Sequence, residues 1–173
     1  MPDEEFQLIL QVGFLNVTEP WEKPDAAVAE EHPIIEQLIR RRFRDRAFQR
    51  QVRLAYNNTC AITGLCLTNG GGRPEVEAAH IRPVEASGPD SLRNGLALTG
   101  TVHWLFDRGL ITLDDHYRLI VAEQKIPHEM MQLLKPGQSI RLPDRHAQRP
   151  HPGFLHWHRE NKFGKANTFT SVE

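Results

Sequence analysis

Apolar positions recur along the chain in two rhythms, and the switch between them outlines the elements. Phe6, Ile9, Leu10 and Phe14 share one face at helical spacing and predict a short amphipathic helix. The following "NVTEPWEKPDAAVAEEHP" (16–33) holds three prolines and no apolar period, so it reads as a linker. Helical spacing returns in "IIEQLIRRRFRDRAFQRQVRLAYNNTC", where Phe48, Val52, Ala55 and Tyr56 form one stripe. The rhythm then changes. A glycine-rich turn, "TNGGGRP" (68–74), leads into the alternating strand "EVEAAHI", and a proline-bounded loop, "RPVEASGPDSLRN" (82–94), leads into a short apolar strand, "GLALT" (95–99). In "GTVHWLFDRGL" (100–110), Val102, Leu105 and Phe106 predict a helix that Gly109 stops. "ITLDDHYRLIVAE" predicts a hairpin turning at Asp114–Asp115, and "PHEMMQLL" and "PGFLHWHRENKF" predict two further helices.

Composition narrows the class. With 173 residues, 39% hydrophobic and 25% charged, the chain suits one ordinary globular domain with an extension. No apolar run is long enough to span a bilayer, and "MPDEE" is acidic where a secretory signal needs positive charge. Cys60 and Cys66 are too few for a disulfide framework or a four-thiolate zinc site, so two buried thiols in a reducing cytoplasm are expected. The net charge of −1 conceals an asymmetry. Residues 1–32 carry eight acids against Lys23 alone, a net −7, which leaves +6 for residues 33–173. Seven arginines between Arg40 and Arg53 face only Asp45. Such a run is either a solvated helix face or a surface for phosphates.

The strand–loop–strand–helix segment places three residues at telling positions. His80 ends the first strand, Asn94 begins the second, and His103 lies on the helix nine residues after Asn94. Taken singly these are ordinary: a histidine at a strand end, an "NG" turn, an imidazole on a helix. Together "CAITG", "AAHIRP", "NGLAL" and "HWLFDRGL", in that order, resemble the HNH endonucleases, and within them a subgroup found among bacterial restriction endonucleases. The resemblance covers about residues 41–123, and "FLHWHREN" near the C-terminus is similar as well. It implies an α+β fold with a ββα-metal (His-Me finger) core over about 58–123. Flanking helices and a C-terminal hairpin and helical extension surround that core in a nuclease domain at 33–173, behind an acidic helix and linker at 1–32.

The same resemblance implies a metal-dependent endonuclease acting on DNA, of restriction or defence type. An imidazole titrates near neutrality, so His80 can take a proton from water, while Asn94 holds the histidine strand in shape. His103 and Asp107, at i and i+4 on one helix face, are the expected ligands of a divalent cation. Mg²⁺ or Mn²⁺ is expected, with Zn²⁺ or Ni²⁺ as alternatives. Arg82, Arg93 and Arg108 flank the motif residues and are expected to grip the scissile phosphate, with Arg42, Arg46 and Arg50 on the basic helix contacting DNA nearby. One departure stands out: Ala79 occupies the position where many HNH enzymes carry another metal ligand. Two protein ligands suit a hydrated magnesium ion, and Glu77 is a weaker candidate, reaching the site through water or serving only as edge charge. His151, His156 and His158 read as an exposed, partly aromatic helix and not as a second metal site.

Two rival readings remain open: a catalytically inactive DNA-binding module derived from such a nuclease, and a protein-interaction domain whose basic helix docks the acidic leader of another copy. A reader domain supplied elsewhere is an expected partner. Homo-oligomerisation would suit double-strand cleavage, but no heptad or symmetric patch argues for it.

Overall fold

The computed structural model describes residues 44–165. The expected N-terminal helix, the linker and Arg42 lie outside the described residues. Helix α1 (residues 44–55) forms on the predicted stripe. Phe48, Val52 and Tyr56 are buried, while Arg44, Arg46 and Arg50 face solvent. The chain then turns through Asn57 and Asn58, both left-handed, a conformation asparagine tolerates better than most residues.

"CAITG" closes a tight turn in which the Cys60 amide donates to the Leu65 carbonyl (2.8 Å) and Gly64 takes a φ of +73°. The turn is joined to the core at both faces: the Ala61 amide donates to Ala97 and its carbonyl accepts from Arg141, each at 2.8 Å. Cys60 is buried as expected, but Cys66 is exposed, because the chain leaves the core immediately after that turn.

Strand β1 (Glu77–His80) pairs antiparallel with β2 (Gly95–Leu98), with Glu77 opposite Leu98 and His80 opposite Gly95. Small residues dominate the pair, and α1 uses that closeness. The Gln49 side chain bonds both backbone groups of Ala78, accepting from its amide at 2.9 Å and donating to its carbonyl at 3.2 Å. This satisfies the outer edge of β1 with a side chain in place of another strand. Opposite His80, a Cβ on Gly95 would fall 2.5 Å from Val52 and 3.1 Å from Phe48, so only glycine admits α1 this close.

Helix α2 (Gly100–Asp107) buries Val102, Leu105 and Phe106 and turns His103 and Asp107 outward. Its first free amide, on Gly100, donates to the Glu75 carboxylate at 2.9 Å. The helix stops where predicted. Gly109 has a φ of +66°, and a Cβ there would lie 2.0 Å from the Lys162 carbonyl oxygen.

Strands β3 (Ile111–Leu113) and β4 (Leu119–Val121) form the expected hairpin as a separate two-stranded sheet. Asp114 builds its turn by accepting from the amides of His116 and Arg118 and pairing with the Arg118 guanidinium at 2.7 Å. Desolvation pushes its carboxyl upward, but those bonds and that charge together hold it below the ordinary range.

Helices α3 (His128–Leu134) and α4 (Pro152–Asn161) follow, and α4 packs on β3. Here the sequence expectation for the histidines needs correction. His156 is exposed, but His158 is buried at 2% exposure, stacked on Phe106 at 3.9 Å. It donates from Nε2 to the Phe106 carbonyl (3.1 Å), and Nδ1 accepts from the Thr112 hydroxyl (2.8 Å). With both ring nitrogens satisfied, it packs as a flat apolar residue between α2 and β3. Burial pushes its pKa down to about 4, aided by the nearby Lys162 and Arg159 charges and opposed by the bond to Phe106. Among the described residues no helix is long and apolar enough to cross a membrane.

Candidate active site

The exposed edge of the ββα unit carries two imidazoles, and each is held by a carboxylate. His103 projects from α2, where its Nδ1 lies 2.9 Å from Oε2 of Glu77, the first residue of β1. Its Nε2 lies 3.3 Å from Oδ2 of Asp107 one turn on. The predicted pair is therefore brought together, with an addition. Both ring nitrogens of His103 therefore face carboxylate oxygens, Nδ1 that of Glu77 and Nε2 that of Asp107.

This donor set fits a divalent cation. One imidazole nitrogen and one carboxylate oxygen suit a hard or borderline ion, and two neighbouring ligands at magnesium distances sit about 3 Å apart. Glu77 cannot share that ion, because the two ring nitrogens point away from each other. Accordingly, no group of three or more His, Cys, Asp or Glu side chains gathers as a metal cage among the described residues. Ala79, in the position of the missing ligand, is fully buried in the core.

His80 closes the far end of β1. Its Nε2 lies 2.9 Å from Oδ1 of Asp90, with each side chain 23% exposed. One ring face stacks on Phe48 of α1, with centroids 4.0 Å apart and planes 13° from parallel. His80 bonds to Asp90, while His103 bonds to Glu77 and Asp107, so the two imidazoles head separate clusters at opposite ends of one strand.

Asn94 is fully buried, and its side-chain hydrogen bonds go to backbone groups and not to either imidazole. Its Oδ1 accepts from the Arg82 amide, and its Nδ2 donates to the carbonyls of Arg82 and Pro89, all at 2.9 Å. Its own carbonyl accepts from Ile81 at 2.9 Å. One amide thus clamps the chain just after His80 and just before Asp90, closing the loop between the strands.

The predicted arginines fall in three places. Arg82 bonds the Ala86 carbonyl through Nε at 2.6 Å and lies over Trp157 at 5.6 Å. With Arg93, Ser91, His151 and Phe154 it lines an open hollow of ≈ 470 Å³. Arg108 sits over the exposed ring of Trp104 at 5.8 Å, beside Asp107. Arg46 and Arg50 lie apart from these, on the outer face of α1. Sequence reasoning missed Asp90 and read Phe48 only as part of the helical core stripe, because nothing local ties either residue to His80. A loop acid ten positions from its histidine and a core phenylalanine both look ordinary.

Residues 60–114, which contain β1, the loop, β2 and α2, match the family described as HNH endonuclease. This segment is similar to HNH endonuclease domains. Its order of strand, strand and histidine-bearing helix is a ββα arrangement within an α+β chain; Asn94, expected to begin the second strand, instead ends the short 3-10 turn Leu92–Asn94 just before β2. No curated protein sequence matches the chain. Among solved structures, a "Modification dependent TagI restriction endonuclease" superposes with a TM-score of 0.57 at 21% identity. The match covers 72% of this chain and 40% of that one, so the chain spans well under half of that protein's length. At this identity the likeness is one of fold. The histidine–carboxylate pairs are features of this chain's own site.

Proposed function

We propose that the chain is a divalent-metal-dependent endonuclease that hydrolyses phosphodiester bonds in DNA, of restriction or defence type. The observation that carries this reading is the pair of carboxylate-held imidazoles at the two ends of β1, inside a segment that matches HNH endonucleases. Three residue steps separate Glu77 from His80, roughly 10 Å of strand. An odd step of three also turns the two side chains to opposite faces of β1, so convergence of both clusters on one phosphodiester is itself part of the proposal.

His103 and Asp107 are the residues that would hold the cation. There the cation would supply positive charge for the phosphoryl oxygens and the departing 3′ oxygen. His80 accepts a proton from the attacking water through Nδ1, for which no bond is seen among the described residues. Asn94 keeps the base in place by closing the loop behind it, and Glu77 keeps the His103 tautomer in which Nε2 is free to ligate. Arg82, Arg93 and Arg108 meet the phosphates next to the scissile bond. Arg46 and Arg50 meet the backbone further along. Products would end in 5′-phosphate and 3′-hydroxyl groups.

The TagI enzyme is by its name modification dependent, and that chain is much longer than this one. For this chain we assign base reading to a separate domain or protein. Modified and unmodified plasmid should then be cut alike by the chain alone.

Nicking of supercoiled plasmid tests the reading, run against a panel of Mg²⁺, Mn²⁺, Zn²⁺ and Ni²⁺. Metal-dependent nicking that falls by about 10² to 10⁴-fold in His80→Ala supports it. Tight DNA binding by the wild type without nicking under any metal would replace it with an inactive binding module.

A further inference from the structure

We propose that Asp90 is a positioning residue for His80, fixing the imidazole tautomer so that Nδ1 is the nitrogen that takes the proton from water. The inference rests on the nuclease reading for its catalytic consequence, but not for its geometry.

A neutral imidazole carries one N–H and one lone pair. A carboxylate has no proton to give near neutral pH, so the 2.9 Å contact between Oδ1 of Asp90 and Nε2 of His80 makes Nε2 the donor. The lone pair is then on Nδ1. Once Nδ1 has taken a proton, the ring is a cation beside a carboxylate, and the existing bond becomes charge-assisted. The arrangement follows the logic by which an aspartate orients the histidine of a serine hydrolase, without itself receiving the proton.

Two further observations show that the contact is built. Asp90 follows Pro89, whose carbonyl accepts from Nδ2 of Asn94 at 2.9 Å, and Ser91 bonds back to that same carbonyl. The carboxylate is thus presented from a clamped turn. Phe48 stacks on the ring at 4.0 Å, which excludes water from one face and restricts rotation about the side-chain bonds. The same packing requires glycine at position 95, directly opposite His80 in the ladder. Loop, helix and opposing strand therefore set one ring orientation.

The test uses the full chain with ¹⁵N-labelled histidine and reads long-range ¹H–¹⁵N correlations at about pH 8.5, well above the ordinary imidazole value of ~6.5. The His80 signal is assigned by its loss in His80→Gln. Wild type should show the Nε2–H tautomer. Asp90→Asn, which preserves shape and can donate to Nε2, should shift the population toward Nδ1–H, and Asp90→Glu should restore part of the wild-type pattern. In parallel, plasmid nicking by Asp90→Asn should fall about 10²-fold in kcat with KM for DNA changed less than about threefold. The double variant with His80→Ala should lose nothing beyond His80→Ala alone.

An unchanged tautomer in Asp90→Asn overturns the proposal, whatever the activity. Full nicking by Asp90→Asn overturns it as well, while leaving the nuclease reading intact. A wild type that never nicks, yet loses the Nε2–H tautomer in Asp90→Asn, sinks the nuclease reading and supports the tautomer assignment. The two failures are therefore distinct.

Discussion

Replacing Asn94 by alanine should destabilise the domain out of proportion to the atoms removed. The amide makes three hydrogen bonds at 2.9 Å, all to backbone groups: the Arg82 amide, the Arg82 carbonyl and the Pro89 carbonyl. Alanine leaves all three without that partner. A buried group stranded in this way costs about 1–3 kcal/mol. Arg82 is only half-buried and Pro89 is exposed, so water recovers part of the loss, and about 1 kcal/mol for each group is the appropriate figure. The sum is about 3 kcal/mol, a large fraction of an ordinary domain's stability of about 5–15 kcal/mol. Asn94→Asp should be worse despite its identical shape, because a buried carboxylate would face two carbonyl oxygens with no hydrogen to offer. Urea unfolding followed by far-ultraviolet circular dichroism measures both. The expected result is a lower midpoint at unchanged m-value, ordered wild type, then alanine, then aspartate. A loss below about 1 kcal/mol in Asn94→Ala, or an aspartate variant as stable as wild type, would refute the clamp.

Other consequences can be measured separately. His158 has its pKa lowered to about 4 by burial, so the folded state resists its protonation while the unfolded chain accepts a proton near 6.5. Its contribution is complete above about pH 6.5 and is lost as the pH falls toward 4, by about 3 kcal/mol, and His158→Gln should flatten that part of the urea midpoint–pH profile. Glu77→Gln removes the carboxylate that lies 2.9 Å from Nδ1 of His103, so half-maximal nicking should need about 10–100-fold more Mn²⁺, and an unaltered metal titration would remove Glu77 from the site. Charge removal at both Arg46 and Arg50 should weaken DNA binding and reduce the slope of log K against log salt by about 2, which fluorescence anisotropy at several salt concentrations reads directly.

What the sequence made legible was periodic or punctuated. The stripe of Phe48, Val52 and Tyr56, the stop at Gly109 and the turn at Asp114 each depend on neighbours a few residues away, and all form as expected. The pairing of His103 with Asp107 was visible for the same reason, being one helical turn. What stayed hidden was non-local. His158 finds Thr112 and Phe106 at separations of 46 and 52 residues, so nothing near it in sequence distinguishes a buried ring from an exposed one. Gln49 reaches Ala78 across 29 residues to satisfy a strand edge, and no propensity marks it. Cys66, expected to be buried with Cys60, lies outside because the turn between them ends before it. Asp90 resembles any polar loop residue until the loop is folded back on its own histidine.

A four-residue ladder is too short to hold an imidazole still by itself, since strand ends fray and His80 is the last residue of β1. The rigidity at that position must come from elsewhere, and it comes from three directions. Asn94 ties the chain ahead of the ring and behind its carboxylate. Gln49 binds both backbone groups of Ala78. Phe48 covers one ring face through the gap that Gly95 leaves. Two of these three supports belong to α1, which also carries Arg46 and Arg50 on its outer face. If DNA engages those arginines, it bears on the helix whose inner face holds the His80 ring. Backbone binding and ring orientation are then properties of a single element, so a helix displaced by a non-cognate surface would lose both together. Coupling of this kind needs no moving lid, only a helix amphipathic in function as well as in polarity.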